Sequence, residues 1–209
     1  MRRMGWYDFF SRFYDSSLEK LYVDARKAAA DALELGPGMT VLDLPCGTGQ
    51  SFDEIVSHIR PGGRLIGADL SEGMLARAAA RVKARGLDEV ITTRGDARTF
   101  GADELRALGV SRLDRLHVFL GLSAFPDWEA SFERLFGLLA PGGRCVVVDV
   151  HAEKPSFQGR MVNLVARADI TRRTWEPLER LSVGFERREL PSLPEHGGQL
   201  FLATGTRGG

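Results

Sequence analysis

Val41-Leu42-Asp43-Leu44-Pro45-Cys46-Gly47-Thr48-Gly49 is the stretch on which the fold turns. Its apolar start reads as a buried strand, and its glycines as a tight turn that leads straight into a helix. Such a turn brings backbone N–H groups and a helix amino terminus up against a ligand. Gly47 and Gly49 let the backbone approach closely because no Cβ intrudes. Taken alone, two glycines after a strand also describe an ordinary tight turn.

Working outward, the pattern alternates. Met39 to Leu44 reads as strand and Thr48 to Ile59 as helix, stopped by Pro61-Gly62-Gly63. Arg64 to Ala68 is a second strand, and Ser71 caps an Ala-rich helix that runs to Arg85-Gly86. Val90 to Arg94, Leu113 to Leu120 and Arg144 to Val150 read as three more strands. Helices over Ala102 to Leu108 and Asp127 to Leu139 separate them. Alternation of this kind calls for parallel βαβ units with helices on both faces of one sheet.

The two ends differ from this middle. Trp6, Phe9, Phe10, Phe13, Tyr14 and Leu18 recur at three- and four-residue steps, so residues 1–35 read as a helical segment that Gly36-Pro37-Gly38 ends. After a helix over Phe157 to Ala168, the stretches Glu179 to Arg188 and Gln199 to Thr204 read as two closely linked strands, which must pair antiparallel. The expected architecture is α/β: a doubly wound, Rossmann-like, seven-stranded and mostly parallel sheet, with an antiparallel C-terminal edge hairpin and an N-terminal helical lid. Residues 1–209 are expected to form one domain, the lid over 1–35 and the core over 36–209.

Composition narrows the function. The chain has 209 residues, 28 basic and 28 acidic side chains, and a mean hydropathy of −0.14. It offers no overall basic field to gather a nucleic acid. Cys46 and Cys145 form neither a CxxC pair nor a Cys/His cluster, so neither a structural zinc nor a disulfide framework is expected. No apolar run reaches bilayer-spanning length and the amino terminus lacks a secretory pattern, which reads as cytoplasmic.

Asp69 sharpens the ligand. It closes the second strand 69 − 49 = 20 residues after Gly49, the offset at which an acid meets the ribose of a bound nucleoside. A dinucleotide would want a third glycine where Phe52 stands, so the site suits a nucleoside without phosphates.

With these residues in view, the chain resembles the class I S-adenosylmethionine-dependent methyltransferases, small-molecule branch, over nearly its whole length. Asp43-Leu44-Pro45-Cys46-Gly47-Thr48-Gly49 is similar to the family's first motif. Asp69-Leu70-Ser71-Glu72-Gly73-Met74-Leu75 is similar to the second, and Gly95-Asp96-Ala97 to the third. The resemblance implies S-adenosyl-L-methionine as cofactor, held by Asp43, Cys46, Gly47 and Gly49 in the first turn. It puts Asp69 on the ribose hydroxyls, Leu70 and Met74 beside adenine, Asp96 with Ala97 at the adenine amino group, and Tyr14 at the methionine end. One departure stands out: Pro45 replaces the family's usual first glycine and cannot donate an N–H, so the donors are expected from Cys46 to Gly49.

Methyl transfer from a sulfonium is an in-line displacement that needs orientation and a dry pocket, with a base when the acceptor is a phenol or an ammonium. Ligands bind at the carboxyl ends of strands in open α/β sheets, which singles out His151, just past the fifth strand, as the base candidate. His117 reads as a core residue, and His58 and His196 as surface. Gly121 to Phe125 and Arg172 to Leu178 are expected to supply acceptor walls. The expected acceptor is a small aromatic or quinone-like molecule or an amine. The alternatives are a lipid amine such as phosphatidylethanolamine, and S-adenosylmethionine binding without transfer. Arg2, Arg3 and Arg12 among the N-terminal aromatics also suit an anionic membrane surface, but the lid is the preferred reading.

Overall fold

The computed structural model describes residues 21–209. Helix α1 (Val23–Ala32) precedes β1 (Thr40–Asp43), α2 (Phe52–Ile59), β2 (Arg64–Asp69), α3 (Glu72–Arg85), β3 (Val90–Arg94), α4 (Ala102–Ala107) and β4 (Leu113–Phe119). A short 3-10 turn over Leu122–Ala124 leads to α5 (Trp128–Phe136) and β5 (Leu139–His151). The chain then forms α6 (Phe157–Ala166), α7 (Glu176–Leu181), β6 (Ser182–Glu189), a 3-10 turn over Pro194–His196, and β7 (Gln199–Arg207).

These strands form one seven-stranded sheet in the order β3-β2-β1-β4-β5-β7-β6. The first five run parallel, whereas β7 pairs antiparallel with both β5 and β6. Strand order reverses between β1 and β4, and at such a switch point the crossovers leave to opposite faces and open a crevice. Asp43 sits there, level with Gly67 on one side and His117 on the other.

Apolar clusters cover both faces. Leu42, Ile66, Leu116 and Val147 pack on one side with Phe132 and Leu135 of α5, while Val41 and Leu65 pack on the other with Ile55, Val56 and Ile59 of α2. Burial on both faces is why the strands read as unbroken aliphatic runs. Phe52 is fully buried, and a Cβ on Gly67 or Gly49 would overlap its ring. The residue that departs from a dinucleotide turn therefore wedges α2 onto β2. Ser71 caps α3 by accepting from the Met74 N–H at 3.3 Å, and Gly86, at φ +61°, ends it.

The sequence reading needs three corrections. β5 begins at Leu139 and carries Pro141-Gly142-Gly143 within it, with a register shift opposite Leu113 and Arg115. Glu176–Leu181 is helical, with Pro177 in its first turn, so β6 starts only at Ser182. His196 is buried, not on the surface: its Nδ1 accepts from the Leu193 N–H at 2.8 Å and its ring lies 4.9 Å from that of Tyr22. Tyr14 and the rest of residues 1–20 lie outside the described residues. Among the described residues, no helix is long and apolar enough to cross a membrane.

Candidate functional site

A cleft of about 760 Å³ opens at the carboxyl ends of β1 to β5. Its floor is the turn after β1, and the hydrogen bonds of that turn are made inside the protein. The Cys46 N–H donates to Ala68 O at 2.9 Å, the Gly49 N–H to Cys46 O at 3.0 Å, and the Gly47 N–H to Asp69 Oδ2 at 2.9 Å. Of the donors expected from Cys46 to Gly49, those of Cys46, Gly47 and Gly49 are thus spent within the protein. The N–H that Pro45 lacks is not missed, because the turn is anchored to β2.

Gly47 sits at φ +54° beside the cleft, and a Cβ there would meet nothing. The glycine keeps a cradle clear that a side chain would fill. Gly49, at φ +76°, does not line the cleft; it makes room for Phe52. Asp69 also accepts from the Ser71 N–H at 2.8 Å, so one carboxylate ties the first turn to the start of α3. Burial raises the Asp69 carboxyl above its usual range, and the Ser71 and Gly47 N–H groups counter it. The Cys46 thiol is pushed well up by burial and then by Asp43 and Asp69, so it is no thiolate nucleophile.

Asp43, Leu70, Met74, Asp96 and Ala97, singled out in the sequence, all line the cleft. Asp43 is buried, and its Oδ1 lies 2.8 Å from His117 Nδ1. His117 is a core residue as predicted, and its task is to hold Asp43. The Arg98 guanidinium grips Asp96, with Nη2 at 2.6 Å from Oδ2, and holds its carboxyl below the usual range.

On the opposite wall, Gly121, Ser123, Ala124 and Phe125 line the cleft as expected, whereas no residue of Arg172 to Leu178 does; the sequence missed the part of Asp149 in it. Asp149 at the end of β5 accepts from the Ser123 N–H at 2.9 Å, the Ser123 hydroxyl at 3.0 Å and the Val150 N–H at 2.9 Å. Its complete burial raises the carboxyl to about 6, those donors notwithstanding. Arg172 Nη1 donates to Ser123 O at 3.1 Å and to Phe125 O at 2.8 Å, so the loop after β4 is held from both sides. Tyr22, Phe119, Val162, Val165 and Ile170 add an apolar flank, and the buried Arg26 reaches Gln50 Oε1 at 3.0 Å beside it.

His151 does not join this cleft. It shares a strand face with Asp149, but its Nδ1 lies 3.3 Å from Arg172 O and its ring meets Trp175 edge-on at 4.9 Å. Among the described residues, no histidine lines the cleft.

Residues 41–143 match the family described as methyltransferase domain. The demethylmenaquinone methyltransferase of Desulfitobacterium hafniense is 30% identical over 154 residues, which is 73% of this chain and 56% of that protein. The chain spans about half the length of the curated relatives it matches. Among solved structures, phosphoethanolamine N-methyltransferase 2 of Haemonchus contortus, in complex with S-adenosyl-L-methionine, has a TM-score of 0.74 at 14% identity, over 98% of this chain and 60% of that one. The cyclase SpnF has a TM-score of 0.68 at 18% identity, over 88% of this chain and 81% of that one.

Proposed function

We propose that this chain, which belongs with the methyltransferase-domain proteins its residues 41–143 match, is a class I S-adenosylmethionine-dependent methyltransferase that methylates a small, largely apolar acceptor in the cleft. The observation that carries the reading is the meeting of Asp69 with the Gly47 N–H, which joins the acid after β2 to the glycine turn after β1 at the sheet's switch point.

The residues fit S-adenosylmethionine. Asp69 keeps acceptor capacity for ribose hydroxyls beyond its backbone N–H partners, because a carboxylate has about four lone-pair sites. Leu70 and Met74 offer adenine an apolar face, Asp96 lies within reach of its amino edge, and the Gly47 cradle leaves room for the backbone of the ligand. Arg26 and Gln50, with Asp43 on the cleft floor, suit the charged methionine end. When bound, the cofactor supplies an electrophilic methyl group.

The protein orients and dehydrates. Tyr22, Phe119, Val162, Val165 and Ile170 exclude water from the acceptor side, which favours a quinone-like or aromatic ring over a polar metabolite. The relative from Desulfitobacterium hafniense supports a quinone-like acceptor. Where the acceptor must lose a proton, Asp149 with the Ser123 hydroxyl is the group the cleft presents, in place of His151.

The test is thermal unfolding with S-adenosylmethionine, S-adenosylhomocysteine or NAD, followed by release of S-adenosylhomocysteine with quinol, phenol and phosphatidylethanolamine acceptors. The two sulfur nucleosides should raise the midpoint and NAD should not, with turnover on the quinol or phenol. No shift with either nucleoside overturns the reading. The cleft, which no histidine lines among the described residues, favours a second one, in which the nucleoside binds without transfer. A midpoint shift with no turnover on any acceptor selects that second reading.

A further inference from the structure

We propose that α6 docks this protein onto an anionic lipid surface. Phe157, Met161 and Leu164 follow at i, i+4 and i+7 and so share one face of the helix. They are 76%, 44% and 68% exposed. A single exposed apolar side chain needs no explanation, but a ridge of three large ones on one helix marks a surface that meets something.

The charge around the ridge identifies what it meets. In a chain with 28 basic and 28 acidic residues, the run from Lys154 to Arg167 carries Lys154, Arg160 and Arg167 and no acid, and the nearest acids, Glu153 and Asp169, lie beyond the two ends of α6. Arg160 lies within the helix, about 60° around the axis from Phe157 at 100° per residue. A basic helix with an apolar ridge is the arrangement that lies in a lipid interface, apolar side chains among the acyl chains and cations at the headgroups. A second copy of this chain is a poor occupant. A two-fold contact through the ridge would bring the same three cations of both copies together.

The other face of α6 explains why docking would serve the cleft. Val162 and Ala166 line the cleft more than a third of a turn around the helix from the ridge's centre, and Val165 lines it about a fifth of a turn away. With the ridge in lipid, the apolar flank of the cleft stands beside the bilayer, and an apolar acceptor dissolved there passes along α6 without crossing water. This last step rests on the methyl-transfer reading; the docking does not.

The test is co-sedimentation of the full chain with vesicles of equimolar phosphatidylcholine and phosphatidylglycerol, against pure phosphatidylcholine, at low and high salt. The mixed vesicles should retain the protein and added salt should release it. Phe157→Gln with Leu164→Gln should weaken retention roughly tenfold or more, and Arg160→Glu should weaken it while flattening the salt dependence. Both side chains are exposed and outside the cleft, so the double variant should keep the wild-type unfolding midpoint and nucleoside affinity. Those two readouts separate failure of docking from failure of the proposed activity. Absence of retention on mixed vesicles overturns the proposal. So does equal retention of the double variant, which would move the contact elsewhere, or concentration-dependent dimerisation that the double variant loses, which would put a second copy on the ridge.

Discussion

The Pro45 ring stands where a Cβ on Gly121 would have to be: a methyl there would overlap Pro45 Cγ and come within 2.7 Å of Cδ. The turn after β1 and the loop after β4 are therefore fitted to each other across the switch point. Gly121 has a negative φ, −154°, so what the Pro45 ring demands of it is space and not a left-handed backbone.

Gly121→Ala should destabilise the fold on the order of 1–3 kcal/mol, the range for inserting a methyl into packed surroundings, and should weaken nucleoside binding because both loops line the cleft. Pro45→Gly alone should leave binding nearly unchanged and cost about 0.4–1 kcal/mol through a looser unfolded chain. In the double variant the loss from Gly121→Ala should largely vanish. Denaturant unfolding of the four proteins measures the coupling, and simple additivity would show that the ring and the glycine do not compete for space.

Asp69 joins two functions in one carboxylate. Asp69→Ala removes the acceptor for the Gly47 and Ser71 N–H groups as well as for a ribose, so it should lower both stability and affinity, each on the order of 1–3 kcal/mol. Asp69→Asn keeps one acceptor oxygen and should retain more stability than affinity. Calorimetry with S-adenosylhomocysteine checks the second part; unchanged affinity in the Asn variant would remove Asp69 from the nucleoside site.

Much of this was legible in the sequence, for a physical reason. Strands buried on both faces must be aliphatic along their length, and glycine and proline mark where they stop, so Val90–Arg94 is recovered to the residue and the seven strands are all found. Asp43, Gly47, Asp69 and Asp96 were legible because a parallel sheet binds at strand ends and these residues stand there. Pairing across the sheet was not. Asp43 meets His117 only because β1 lies beside β4 in one register, and Asp149 meets Ser123 only because the loop after β4 folds back over β5. A period of two puts His151 on the same face as Asp149 but says nothing of Trp175, which takes up its ring. His196 was hidden by its glycine neighbours, which suggest a solvated turn, while Tyr22 packs over it from the far end of the chain.

The buried bond between Asp43 and His117 separates folding from binding. His117→Leu leaves the Asp43 carboxyl without that partner at 1% exposure, and a buried unsatisfied acceptor costs about 1–3 kcal/mol, more if it is charged. Replacing both residues with leucine should recover much of that stability, because no polar group is then stranded. Nucleoside affinity should fall in the double variant all the same, since Asp43 lines the cleft floor. Unfolding and calorimetry on the same samples read the two effects apart; recovery of affinity along with stability would make Asp43 purely structural.

Asp149 gives the protein a dependence on pH of defined sign. Its carboxyl titrates near the usual carboxylate value in the unfolded chain and at about 6 when folded, because burial disfavours the charge more than the Ser123 and Val150 donors favour it. The folded state therefore binds the proton more tightly. The contribution of this group to stability is fully present below the unfolded value, near pH 4, and is lost as pH rises through about 6. Asp149→Asn cannot ionise, so its deficit relative to wild type should be largest near pH 4 and should shrink by on the order of 2–3 kcal/mol by pH 7. The Ser123→Ala variant withdraws the hydroxyl donor that stabilises the carboxylate, so it should push the midpoint of this change upward. Denaturant unfolding from pH 4 to 7 on the three proteins provides the measurement. A difference between wild type and Asp149→Asn that stays flat across that range would mean that burial does not shift this carboxyl, and would withdraw it as the proton acceptor of the cleft.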